Sequence, residues 1–149
     1  MPAMNLKKLI LVVLLVLSIG FLLGCGIKEQ SRYFKVSTEV SKISLSGRGL
    51  QKLFSTSDAG LLSVEVVDPK DVSTFIEILE NAEFSSGPKT RKEPNLQVTL
   101  FFEDTSHMVF DFWLNPYRKT ARFTNESGET FIFNKKEVLS LVEFFSISR

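Results

Sequence analysis

From Leu96 to Phe133 apolar residues return at every second position through four segments divided by turn residues, and this period limits the fold more than any other feature. In "LQVTLFF", Leu96, Val98, Leu100 and Phe102 alternate with Gln97, Thr99 and Phe101. In "HMVFDFWL", Met108, Phe110, Phe112 and Leu114 alternate with His107, Val109, Asp111 and Trp113. A pleated strand sends successive side chains to opposite faces, so such alternation predicts strands with one buried face. "EDTS", "NPYRK" and "NESGE" supply the turns, and "TARFT" and "TFIF" the remaining strands. Connections this short join antiparallel neighbours, which predicts a four-stranded antiparallel meander.

Two helical periods flank this run. After "LLSVEVV", Asp68 is a candidate N-cap and Pro69 takes the first helical position, where a missing N–H costs nothing. Val72, Phe75, Ile76 and Leu79 then form one apolar stripe, and "SSGPKTRKEPN" ends the helix. Near the C-terminus, Asn134 and Glu137 have capping-box spacing ahead of a stripe of Val138, Leu141, Val142 and Phe145. The expectation is an α+β domain: two helices on the face of the sheet that carries Phe102, Phe110 and Phe112. "KVSTEVSKISLS" and "LLSVEVV" predict one or two further strands of open register, joined through the loop-like "FSTSDAG", and "SGRGLQKL" reads as a turn.

The first residues obey other rules. Lys7 and Lys8 precede an apolar stretch from Leu9 to Leu23. As a helix it would rise about 22 Å, short of the ~30 Å hydrocarbon core of a bilayer, so a secretion signal fits better than a permanent span. With those two lysines set aside, 16 basic residues face 17 acidic ones. A body so near neutrality speaks against nucleic acid as a partner. One histidine and one cysteine leave no material for a Cys/His zinc site, and a single thiol allows no internal disulfide. Neither metal nor cofactor is implied.

The single cysteine stands where the apolar stretch stops. Leu22-Leu23-Gly24-Cys25 resembles the lipobox of bacterial lipoproteins: aliphatic residue, tolerant position, small residue, cysteine. The resemblance implies that Leu22, Leu23 and Gly24 are read by a dedicated signal peptidase. It also implies that Cys25 receives a diacylglyceryl group and becomes the mature N-terminus. Residues 1–24 are then a signal peptide, 25–33 the lipidated cysteine with a short polar tether, and 34–149 one α+β domain. The expected address is the extracytoplasmic face of a cell membrane, of Gram-positive type. Asp68-Pro69 with its helix, the "VTLFFEDTSHMVFDFWL" hairpin and the terminal strand–helix unit resemble the small exported YhfM-like lipoprotein domains of Gram-positive bacteria. This chain departs from that pattern at one turn, where Asp104 is followed by Thr105 rather than glycine. The likeness transfers location and fold, not an activity.

No catalytic constellation emerges. His107 opens a strand beside a turn, where a lone histidine reads as solvated. Asp111 shares its strand face but stands about 13 Å further along. Phe101, Val109 and Trp113 lie on the sheet face opposite the helices, which calls for a cover, and the N-terminal strands are the simplest one. Left open, that face would be a partner site. Phe101, Trp113, Tyr117, Arg118, Lys119 and Arg122 form the candidate binding surface, with "KTRK" at Lys89–Lys92 as a second basic cluster. The sequence thus points to a non-enzymatic, lipid-anchored binding module at the membrane–wall boundary, its partner an envelope protein, a peptide or an anionic polymer. Two alternatives stand beside it. One is an envelope enzyme or enzyme accessory with an acidic site; the other is an inhibitor or immunity factor acting through the loop Ser85–Asn95.

Overall fold

The computed structural model describes residues 32–54 and 63–147. The signal segment, Cys25, the tether up to residue 31 and most of "FSTSDAG" lie outside the described residues. Seven strands form one sheet: β1 Val40–Ser46, β2 Ser63–Val66, β3 Glu83–Ser85, β4 Leu96–Phe102, β5 His107–Asn115, β6 Thr120–Asn125 and β7 Thr130–Ile132. Three helices accompany them, α1 Gly49–Phe54, α2 Pro69–Glu80 and α3 Lys135–Ile147. The strand order is β2-β1-β4-β5-β6-β7-β3, antiparallel at each step. The four-stranded meander is thus its centre, as the period predicts.

Strands β1 and β2 extend the sheet beyond β4, with Ile43 opposite Leu100 and Leu45 opposite Val98. They do not cover the face of Phe101, Val109 and Trp113. Pairing edge to edge answers backbone groups that would otherwise be left open at a strand edge, and it still puts Ile43, Leu45 and Val66 in the common core. β3, unmarked by any period in the sequence, closes the other edge against β7. Arg32 and Tyr33, assigned by sequence to the tether, belong to this edge as well. The Phe84 amide donates to the Arg32 carbonyl (2.7 Å), the Phe34 amide donates to the Ala82 carbonyl (3.0 Å), and Tyr33 bridges Glu83.

The core lies between one sheet face and the helices. Asp68 caps α2 as expected, its Oδ1 accepting from the Lys70 and Asp71 amides. The Asn134 Oδ1 accepts from the Glu137 amide at the start of α3. Each buried stripe is shifted from the sequence reading: Ile78 replaces Ile76 in α2, and Phe144 replaces Val142 in α3. Phe75 meets Phe144 with ring centres 5.2 Å apart, which is where the two helices lock together. "SGRGLQKL" is a turn only at its start; α1 follows and buries Leu50 completely.

Two hairpins have the same three-residue loop but differ in sequence. Around Glu103–Thr105, the Phe102 amide donates to the Ser106 carbonyl and the Thr105 amide to the Phe102 carbonyl. Around Glu126–Gly128, the Asn125 amide donates to the Glu129 carbonyl and the Gly128 amide to the Asn125 carbonyl. The third loop residue is left-handed in both, with φ of 78° at Gly128 and 70° at Thr105. Glycine holds that conformation freely, whereas a β-branched residue is strained there by about 1–2 kcal/mol. Thr105→Gly is therefore expected to stabilise the domain. The gain should be about 0.5–1 kcal/mol once the glycine's extra freedom in the unfolded chain is deducted. Equilibrium urea unfolding checks this, and a lowered midpoint would refute it.

Candidate functional site

The sheet face turned away from the helices is organised in rows by the strand register. A band of small polar side chains crosses the whole sheet: Ser63, Ser46, Gln97, Asp111, Thr124, Thr130 and Ser85. Such a band is content in water, and it separates two aromatic–cation clusters.

In the first cluster, Lys42 lies opposite Phe101, and Phe101 opposite His107. The Lys42 Nζ sits 4.6 Å from the Phe101 ring centre and 2.9 Å from the Glu65 carboxylate. Its charge is thereby balanced and its stem covers the ring. In the second, Trp113 faces Arg122, and Arg122 faces Ile132. Phe101 pairs with His107, six residues along β5 from Trp113, which is about 20 Å of strand. Phe101 therefore does not join Trp113 in one surface, a correction to the sequence grouping: alternation assigns a face, not a distance along it.

The second cluster borders a groove of about 630 Å³ whose lining includes Lys92, Trp113, Asn115, Arg118, Arg122 and Ile132, with Glu93 as its one carboxylate. Local structure holds these side chains. The four-residue loop between Asn115 and Thr120 is pinned by the Asn115 Oδ1, which accepts from the Arg118 amide (3.0 Å), while Lys119 turns the chain with φ of 51°. The Arg122 guanidinium stands 5.4 Å from the Trp113 ring centre. The Trp113 Nε1 donates to the Lys92 carbonyl (3.0 Å), fixing both the indole and the end of the 86–95 loop. Tyr117 is 84% exposed at the tip of its turn and, with Lys119, is not among the lining residues.

Asn95 was not singled out by sequence, yet it positions this end of the sheet. Its Nδ2 donates to the Leu114 carbonyl (2.7 Å) and its Oδ1 accepts from the Leu114 amide (2.9 Å). A side-chain amide thus continues the β4–β5 ladder one step past the strand. No periodic signal announces such a residue; the only hint is an Asn immediately before an alternating run.

Asp104 is held below the usual carboxylate range by the Ser106 hydroxyl and then the Ser106 amide. Tyr33 is raised above an ordinary phenol because it donates to the Glu83 carboxylate. Both lie on the open surface, in a turn and at the sheet edge. Among the described residues no three of His, Cys, Asp or Glu gather as a metal site requires. Nor is any helix among them long and apolar enough to cross a membrane. Comparison with protein-family models, with curated proteins and with solved structures finds no match to this chain. What the groove can hold follows from its own chemistry: an indole and an isoleucine for apolar contact, three cations for anionic groups, and little on the acidic side.

Proposed function

We propose that this protein is a lipid-anchored, extracytoplasmic binding module, non-enzymatic, working at the membrane–wall boundary of a Gram-positive type of cell. The observation that carries the binding half is the groove of Trp113, Arg118, Arg122, Lys92 and Ile132, since tryptophan and arginine are the residues that dominate binding surfaces. The anchoring half rests on the lipobox-like Leu22-Leu23-Gly24-Cys25 at the end of an apolar stretch too short to span. Acyl chains on Cys25 would contribute about 0.8 kcal/mol per buried methylene, and two or more chains make the attachment lasting. The partner is an envelope protein, a peptide or an anionic polymer.

Two measurements test this reading. The mass of the protein recovered from cells should correspond to a chain starting at an acylated Cys25, and Cys25→Ala should carry no acyl group and, once its apolar segment is cut away, leave the membrane. A Met1 start, a free thiol, or a processed Cys25→Ala chain that stays on the membrane overturns the anchor. For binding, a photo-reactive amino acid replacing Tyr117 should cross-link a discrete partner on intact cells. Recovery of lipid alone, across growth conditions, would remove the binding half.

A further inference from the structure

We infer that the groove receives an acidic segment of a partner polypeptide, its carboxylates on Arg118 and Arg122 and a large apolar side chain against Trp113 and Ile132. This deepens the binding-module reading and rests on it. Charge is the first argument. Three cations, Lys92, Arg118 and Arg122, line the groove against Glu93 alone. Elsewhere on the sheet, cations are answered within the domain: Arg32 by Glu129 at 2.7 Å and Lys42 by Glu65 at 2.9 Å. Among the described residues no carboxylate lies within ion-pair reach of Arg118, Arg122 or Lys92. A guanidinium presents its donors as a planar fork that matches a carboxylate with two parallel bonds. Arg122 rests on the Trp113 ring and leaves that fork free among the described residues.

The apolar part decides between classes of polyanion. Ile132 is 44% exposed beside Trp113 and Arg122, in the same row of the sheet. A phosphate-bearing polymer would answer the cations and gain nothing from these two side chains. An anionic bilayer presents a plane, which meets Tyr117, 84% exposed at the tip of its turn, before it reaches a recess. An acidic peptide with one leucine-like or aromatic residue satisfies both surfaces at once, and the aromatic anchor with flanking charge pairs is the usual distribution of binding energy.

The chain supplies its own probe, because Trp113 is the only tryptophan in the sequence. The full chain in nanodiscs of zwitterionic lipid would be used to select from a library of random displayed peptides. Synthesised winners would then be titrated against Trp113 fluorescence, beside polyphosphate and anionic vesicles. The expected winners combine Asp or Glu with a large apolar residue and shift the Trp113 emission. They lose about tenfold or more in affinity on Arg118→Ala and on Arg122→Ala, and fail when their carboxylates become amides. Unchanged melting midpoints of the two variants exclude a folding defect. Winners that lack acidic residues, or that bind both variants as well as the native chain, overturn the inference. Polyphosphate or vesicles shifting Trp113 where acidic peptides do not would also overturn it, while leaving the binding-module reading intact. Silence from all three probes overturns it too, and the Tyr117 cross-link then decides the broader reading.

Discussion

Phe123→Ala should lower the unfolding free energy by about 3–5 kcal/mol, a large share of what a domain of this size possesses. Phe123 is wholly buried, and five other rings surround it: Phe34, Phe110, Phe112, Phe131 and Phe133, with centres 5.1–5.8 Å away. Some stack and some meet edge to face, arrangements that contribute beyond the area they bury. Removing the central ring loses its transfer energy and leaves a void that five rigid neighbours cannot refill. Thermal unfolding should show a midpoint about 10–25 °C lower. Tyr117→Ala, at a side chain 84% exposed, should move it little, within about 0.5 kcal/mol. A Phe123→Ala protein that melted with the native one would mean that these rings do not form the centre of the core.

Gly47→Ala is the second large effect expected, and it works through the backbone. Gly47 has φ of 130°, outside the range of L side chains, between the end of β1 and the start of α1. An added Cβ would stand 2.5 Å from the Asn95 carbonyl oxygen and 3.0 Å from the Leu96 Cα, and neither atom can rotate away. The same Asn95 carbonyl accepts from the Gly49 amide (2.8 Å), so displacement would also break the contact that seats α1. Conformational strain and forced separation together predict about 3–5 kcal/mol of destabilisation. Asn95 also holds Leu114, the neighbour of Trp113. Tryptophan emission of any folded Gly47→Ala protein should therefore change at the groove. Arg48→Ala, one residue on and exposed, should be nearly silent. Equal midpoints for Gly47→Ala and the native chain would show that the two segments do not pass so closely.

Much of the architecture is legible in the chain because it is local. Alternation from Leu96 to Phe133 specifies the meander, since a slip of one residue would turn Phe110 and Phe112 to water. Asp68 and Asn134 mark helix starts because capping is decided within three or four residues. The exact buried stripe is less legible: Ile76 and Ile78 both suit a helix face, and the approach of α2 to α3 selects Ile78. Three-residue β3 and six-residue α1 are too short for any period to show.

The candidate site divides in the same way. Trp113, Tyr117, Arg118, Lys119 and Arg122 surround one short turn, so their nearness is written in the chain, and the β5–β6 register turns Trp113 toward Arg122. Lys92 and Asn95 come from a loop about twenty residues earlier and are joined to this turn only by tertiary hydrogen bonds. Whether the outer face is open was likewise beyond local reasoning. The N-terminal strands bury the same apolar residues whether they lie over the sheet or beside it, and unpaired strand edges favour lying beside it. Local rules in the chain are enough for the four meander strands, the two long helices with their caps, and the buried face of each meander strand, because dihedral preference and side-chain period act between near neighbours. The short β3 and α1, the strand order, the separation of Phe101 from Trp113, and the convergence of Lys92, Asn95 and Arg122 at one groove come from folding in three dimensions, because they depend on which distant backbone groups find each other.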